Sequence, residues 1–176
     1  MPDLHPAPGN SDHIQGDLAA PIVLVEYGDY QCPYCAKAYA VVKRVQERFG
    51  RDVCFVFRNF PLSMHPQAQN AAVVAEFAAQ HGKFWEAHDA LYENQASLGA
   101  PLYAQLVQSL GLSTAELDKA LQTDAFEPHI RADIESGRRS GVSGTPAFYV
   151  NGEKFQTPDG FNDLPAVIEE MLRPTR

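Results

Sequence analysis

Two thiols separated by two residues, Cys32-Pro33-Tyr34-Cys35, are the side chains best suited to chemistry in this chain. A β-branched, aliphatic run from Ile22 to Tyr27 precedes them, and a helical pattern reaching about Phe49 follows. An i, i+3 pair at a helix start brings its α-carbons within the roughly 4.4–6.8 Å that a disulfide tolerates. The unsatisfied N–H groups and the positive dipole end of the helix favour an anion beside them. Cys32, the more N-terminal thiol, is the one whose pKa should fall. Helix-start thiols of this spacing drop from about 8.5 to roughly 3.5–7.5. The pattern predicts a nucleophile, Cys32, and a resolving partner, Cys35.

A CxxC pair is also half of a structural zinc site, but such sites take four ligands, usually as paired short spacings. No second CxxC follows. Cys54 stands alone inside Val53-Cys54-Phe55-Val56-Phe57 and reads as a small buried hydrophobe. His65, His81, His88 and His129 are scattered, and His5 and His13 fall near the N-terminus. Neither a metal nor an organic cofactor is expected.

With 176 residues the chain makes one domain, or one domain with an insertion. A net charge of −8 argues against nucleic acid and anionic membrane surfaces. No apolar run approaches the roughly 18 residues of a membrane span, so no membrane insertion is expected. Three cysteines make no disulfide scaffold, and the core must come from burial. Met1 to Gly16 lacks a basic n-region and an apolar h-region, so it is not a secretory signal and reads as a flexible leader. As a natural start it implies the cytoplasm; with a leader removed, the place would be periplasmic or extracytoplasmic.

The positioning elements follow. Pro21 to Tyr27 predicts a strand, and Gly28-Asp29-Tyr30-Gln31 turns the chain into the cysteines. Pro33 suits a first helical turn, and Gly50 ends the helix. A strand over Val53 to Phe57 completes a βαβ unit, implying parallel strands and a right-handed crossover. From about Pro66 to Ser140 the pattern is helical: Gln67 to Gln80, Lys83 to Tyr92, Pro101 to Ser109, Thr114 to Thr123 and Pro128 to Ser140. Ser113 with Glu116 reads as a capping box. Phe77, Phe84 and Trp85 read as core of this region. Strand character returns at Ala147 to Val150, Asn151-Gly152 predicts a hairpin, and Lys154 to Gln156 is its return strand. Leu164 to Leu172 closes as an amphipathic helix. This order predicts an α/β thioredoxin fold, with residues 17–63 and 141–176 forming the fold and 64–140 an inserted helical subdomain.

The chain resembles the DsbA-like branch of the thioredoxin superfamily. The resemblance rests on Asp12 to Gly16, Glu26 to Cys35, Arg58-Asn59-Phe60-Pro61-Leu62, Gly82-Lys83-Phe84-Trp85 and Gly141 to Gly152. It extends to a leaderless bacterial subgroup, some members of which are fused to sodium/proton antiporters. The family's best-studied oxidases carry histidine where this chain has Tyr34, and Pro-Tyr is typical of glutaredoxins. The resemblance implies that Cys32 attacks, that Cys35 is the buried resolving thiol, and that Pro146 is a cis-proline facing them. Pro33, Tyr34, Thr145 and Pro146 are the implied substrate-binding residues. Glu26 matches the family's buried acid. An exposed carboxylate on one strand face is the alternative; a desolvated acid with a raised pKa would relay the proton of Cys35.

The implied activity is thiol–disulfide exchange with protein or peptide thiols and disulfides, with glutathione or a thioredoxin-type protein as redox partner. Potentials in the superfamily run from about −270 to about −120 mV. Tyr34 adds no positive charge beside the thiolate, which places this couple between those extremes. A glutathione-dependent, glutaredoxin-like reductase and a non-enzymatic peptide-binding module are the rival readings. Paired thiols weigh against the second.

Overall fold

The computed structural model describes residues 3–174. Its sheet has five strands: β1 (His13–Gln15), β2 (Ile22–Gly28), β3 (Val53–Asn59), β4 (Ala147–Val150) and β5 (Glu153–Lys154), in the order β1-β3-β2-β4-β5. β2 and β3 are parallel, as a right-handed βαβ unit requires, and β4 returns antiparallel to β2. Helix α1 (Pro33–Phe49) connects β2 to β3. Five helices follow: α2 (Ala68–Gln80), α3 (Phe84–Glu93), α4 (Ala100–Ser109), α5 (Thr114–Gln122) and α6 (Glu127–Arg139), and α7 (Leu164–Leu172) closes the chain. This is the α/β thioredoxin fold with helices between its halves.

The local signals act as their chemistry requires. Pro33 lies in the first turn of α1, where its missing N–H costs nothing, and Gly50 caps the end at φ 52°. Ser113 accepts the Glu116 N–H at 3.2 Å. Asn151 and Gly152 both take positive φ, the tight-hairpin geometry. The return strand starts one residue earlier than expected and stops at Lys154, although the Phe155 N–H still donates to the Phe148 carbonyl.

Strand alternation divides the core. Ile22, Leu24, Phe55, Phe57, Phe148 and Val150 face one side, with Cys32, Cys35 and Val42 of α1 and Ile168 of α7. Val25, Tyr27, Cys54, Val56 and Tyr149 face the other, with Phe60, Val142 and Leu4. The inserted helices have no core of their own. Phe77, Phe84, Leu91, Tyr103, Leu106 and Ile130 belong to the first cluster, so the insertion and the sheet are one packed unit. Trp85 is part of this junction: its indole donates to the Ile14 carbonyl at 3.2 Å, tying α3 to the edge strand.

The N-terminal segment departs from the expected leader. Among its described residues, His13–Gln15 pairs antiparallel with Phe55–Phe57, and Leu4 is buried. Sequence reasoning missed this because the strand is only three residues long and two of them are polar. An ion pair secures it. Arg58, 2% exposed, donates to Asp12 Oδ1 and Oδ2 at 2.8 and 3.0 Å, to the Pro6 carbonyl at 2.9 Å and to the Tyr27 hydroxyl at 2.8 Å. Removing one partner leaves the other buried charge uncompensated, a loss of roughly 3–5 kcal/mol. Asp12→Ala should therefore lower the unfolding free energy by about that amount in a denaturant melt. A change below about 0.5 kcal/mol, ordinary for surface positions, would mean that the segment is not part of the folded unit.

Candidate active site

β2 delivers the chain to the cysteines through the turn Asp29-Tyr30-Gln31, and the inserted helices lock that turn. The Asp29 carboxylate accepts from the Gln31 N–H at 2.7 Å and the Leu62 N–H at 2.9 Å, and meets His65 Nδ1 at 2.7 Å. Gln31 Oε1 accepts from the Gln67 N–H at 2.6 Å. Gln95, in a short turn after α3, donates from Nε2 to the carbonyls of Tyr30 and Cys32 at 2.8 and 2.9 Å. The Tyr30 hydroxyl pairs with His88 Nδ1 at 2.9 Å. His88 and Gln95 lie 58 to 65 residues from the groups they hold. Sequence reasoning found none of them, because lone Gln and His residues carry no periodic signal.

Cys32 occupies the N-cap of α1, and Cys35 lies one turn inside it, 0% exposed. Both thiols are free. Cys32 is held at about pKa 5, below its ordinary value of 9.0. A hydrogen bond from the Cys35 thiol is the main cause; the Thr145 side chain and the N–H groups of Cys35 and Tyr34 add to it, against the opposing effect of burial. As a thiol, Cys32 reaches the Thr145 carbonyl at 3.7 Å. The Thr145 hydroxyl has no other partner among the described residues, which leaves it available to the sulfur once the proton departs. Burial, with the hydrogen bond to Cys32, pushes the Cys35 thiol far up. One sulfur is thus an anion at neutral pH and the other holds its proton.

The remaining candidate residues surround this pair. The Thr145–Pro146 peptide bond is cis, and both residues are half-buried beside Cys32 at the entry to β4. Pro33 is exposed, and Tyr34, 63% exposed, projects its ring with Lys37 Nζ 5.5 Å from the centroid. Glu26 is not a surface carboxylate: it is 1% exposed, between Phe57 of β3 and Phe148 of β4 on the face that carries Cys35. Desolvation, with repulsion from Cys32, raises it from 4.5 to about 8. Its Oε2 lacks a partner among the described residues, as does the Tyr92 hydroxyl. A Cβ on Gly28 would lie 2.9 Å from that Oε2 and 3.0 Å from that hydroxyl, so the glycine leaves them room.

The family model described as Thioredoxin matches residues 9–170. The curated relatives are sodium/proton antiporters: the Na(+)/H(+) antiporter NhaA 1 of Mycobacterium sp. (strain KMS) is 35% identical over 88% of this chain. The Na(+)/H(+) antiporter NhaA of Herminiimonas arsenicoxydans is 33% identical over 94% of it. In both cases the match spans only 26% of the antiporter's length. Among solved structures, oxidised BdbD from Bacillus subtilis superposes with a TM-score of 0.82 at 24% identity, over 92% of this chain and 93% of that one. Wolbachia pipientis alpha-DsbA1 does so at 0.79 and 18% identity, over 93% and 92%. These structures share the fold. No helix among the described residues is long and apolar enough to cross a membrane.

The opposed pKa shifts predict a distinctive pH dependence. Folding lowers Cys32 from 9.0 to about 5, so its contribution to the reduced protein is complete above pH 9 and is lost as pH falls through 5. Folding raises Glu26 from 4.5 to about 8, so the low-pH stability it allows is lost as pH rises from 4.5 to 8. Each slope is about 1.4 kcal/mol per pH unit, and the two oppose each other in the reduced protein. The oxidised protein keeps only the Glu26 slope. Denaturant melts between pH 5 and 8 should show a nearly level curve for the reduced form and a falling one for the oxidised form, with Glu26→Gln levelling the latter. Parallel reduced and oxidised curves would remove the stabilised thiolate.

Proposed function

The chain belongs to the thioredoxin family, and from that premise we propose that it is a thiol–disulfide oxidoreductase acting on protein or peptide substrates. One observation carries this reading: two thiols one helical turn apart, the outer held at about pKa 5 and the inner pushed far up. A thiolate is the attacking species in disulfide exchange, and a protonated neighbour waits to resolve the intermediate.

In the reducing direction the Cys32 thiolate attacks a substrate disulfide. One substrate sulfur leaves as a thiolate, and the other is joined to Cys32. Cys35 then loses its proton, attacks Cys32, and the second substrate sulfur departs; two electrons have moved from the protein to the substrate. In the oxidising direction a substrate thiolate attacks Cys32 of the Cys32–Cys35 disulfide, Cys35 leaves and takes up a proton, and a second substrate thiol completes the exchange. We assign that proton to Glu26, whose pKa of about 8 lets it both accept and release near neutrality. We assign substrate contact to Pro33, Tyr34, Thr145 and Pro146: the exposed Tyr34 ring offers a surface to a peptide, and the Thr145 carbonyl lies 3.7 Å from the Cys32 sulfur.

Trapping tests the roles. Cys35→Ser should accumulate mixed disulfides with a disulfide-bonded peptide, seen as a mass increase, while Cys32→Ser should accumulate none. Equal trapping by both variants, or adducts on Cys54, would contradict the assignment. The acid has a separate signature. Glu26→Gln should slow the resolution step by about 100-fold and leave the first attack nearly unchanged, which stopped-flow measurements separate. An unchanged resolution rate would reduce Glu26 to a buried acid with no part in the exchange.

A further inference from the structure

Away from the cysteines, three elements bring unlike donors to one point. His13 on β1, Glu76 on α2 and His129 on α6 place their ligating atoms within 4.8 Å of one another. Glu76 is 4% exposed and uses both oxygens: Oε2 lies 2.6 Å from His13 Nε2, and Oε1 lies 3.1 Å from His129 Nε2. Asp133, one turn along α6, brings Oδ2 to 3.5 Å from the same His129 nitrogen. We propose that His13, Glu76 and His129 form a binding site for a divalent transition metal of the zinc class, which clasps the edge strand to the inserted helices.

The donor set has the right chemistry. Imidazole nitrogens with carboxylates suit zinc and its neighbours, whereas calcium and magnesium prefer all-oxygen shells. The Glu76 carboxylate supplies negative charge for the ion to balance. Ligand atoms about 2.0–2.2 Å from a tetrahedral metal stand about 3.3 Å apart, and the contacts of 2.6 and 3.1 Å lie near that spacing. The supporting groups are fixed. The His13 ring stacks on Phe84 at 3.7 Å between centroids, and the Asn59 N–H holds Asp133 Oδ2 at 2.9 Å.

The side chain of Asn59, 1% exposed, turns its amide nitrogen toward Asp133 and Glu76 at 3.1 and 3.5 Å, and its Oδ1 has no partner among the described residues. Those two bonds hold the carboxylates that face the imidazoles. Without a metal, the alternative is a hydrogen-bonded cluster in which both imidazoles meet Glu76. That arrangement does not respond to zinc.

The test uses the oxidised protein, in which Cys32 and Cys35 are joined and cannot take the metal. One equivalent of zinc ion should bind. At free zinc about 100 times the dissociation constant the unfolding midpoint should rise by about 5–10 °C. Calcium and magnesium should leave it unchanged. The His13→Ala/His129→Ala double variant should lose the rise. Cobalt(II) gives a readout that does not depend on that variant's folding: the wild type should show d–d bands without a sulfur charge-transfer band. No zinc-dependent shift in the oxidised wild type, an equal shift with calcium, an equal shift in the double variant, or a sulfur charge-transfer band would each overturn the proposal.

Discussion

A sulfur anion that is 4% exposed must be surrounded by donors, and most of this fold serves that requirement at Cys32. The donors are local: the Cys35 thiol, the Thr145 side chain and the first N–H groups of α1. They converge only if the helix start, the β2 turn and the loop before β4 are held together. Register does this on one side, since Glu26 and Tyr27 of β2 pair with Phe148 and Ala147 of β4, immediately after Pro146. On the other side the inserted helices do it, through Gln95, His88, His65 and the Gln67 N–H. The insertion is therefore a brace for the reactive turn as well as a lid on the sheet.

The same anion explains the neighbouring acid. A carboxyl under the motif, stripped of water and repelled by the thiolate, stays protonated to about pH 8. Two groups with opposed shifts then lie within one small volume, so that one is charged and the other neutral at pH 7. Charging both would place two anions in a dry space. Within the proposed exchange, a proton passing between Glu26 and Cys35 would avoid that state. Phe57, Tyr92 and Gly28 leave just enough room for the carboxyl.

What could be read from the sequence was what period and punctuation encode. Ile22–Tyr27, the long helix after Pro33 and the Asn151-Gly152 turn carry strong local signals, and their structures agree to within a residue or two. The helix-start thiols were readable because spacing alone fixes their separation. The sequence gives no local cue to Arg58 paired with Asp12, Gln95 on the reactive turn, or His13 beside Glu76 and His129. Each is a contact between residues 46 to 65 apart, and sequence distance hides it. The edge strand was lost for a related reason: three residues, two of them polar, are too few to establish a period.

The account rests on a reduced form stabilised by its thiolate, and the reduction potential of the Cys32–Cys35 couple at pH 7 against a glutathione buffer measures that directly. A thiol at about pKa 5 gains nearly two pH units of ionisation over one titrating near 7. At about 30 mV per 1.4 kcal/mol this raises the potential by about 50–60 mV over thioredoxin's roughly −270 mV, to about −215 mV. A value near that figure supports the stabilised anion as the origin of the activity. A couple at or below about −270 mV would contradict it.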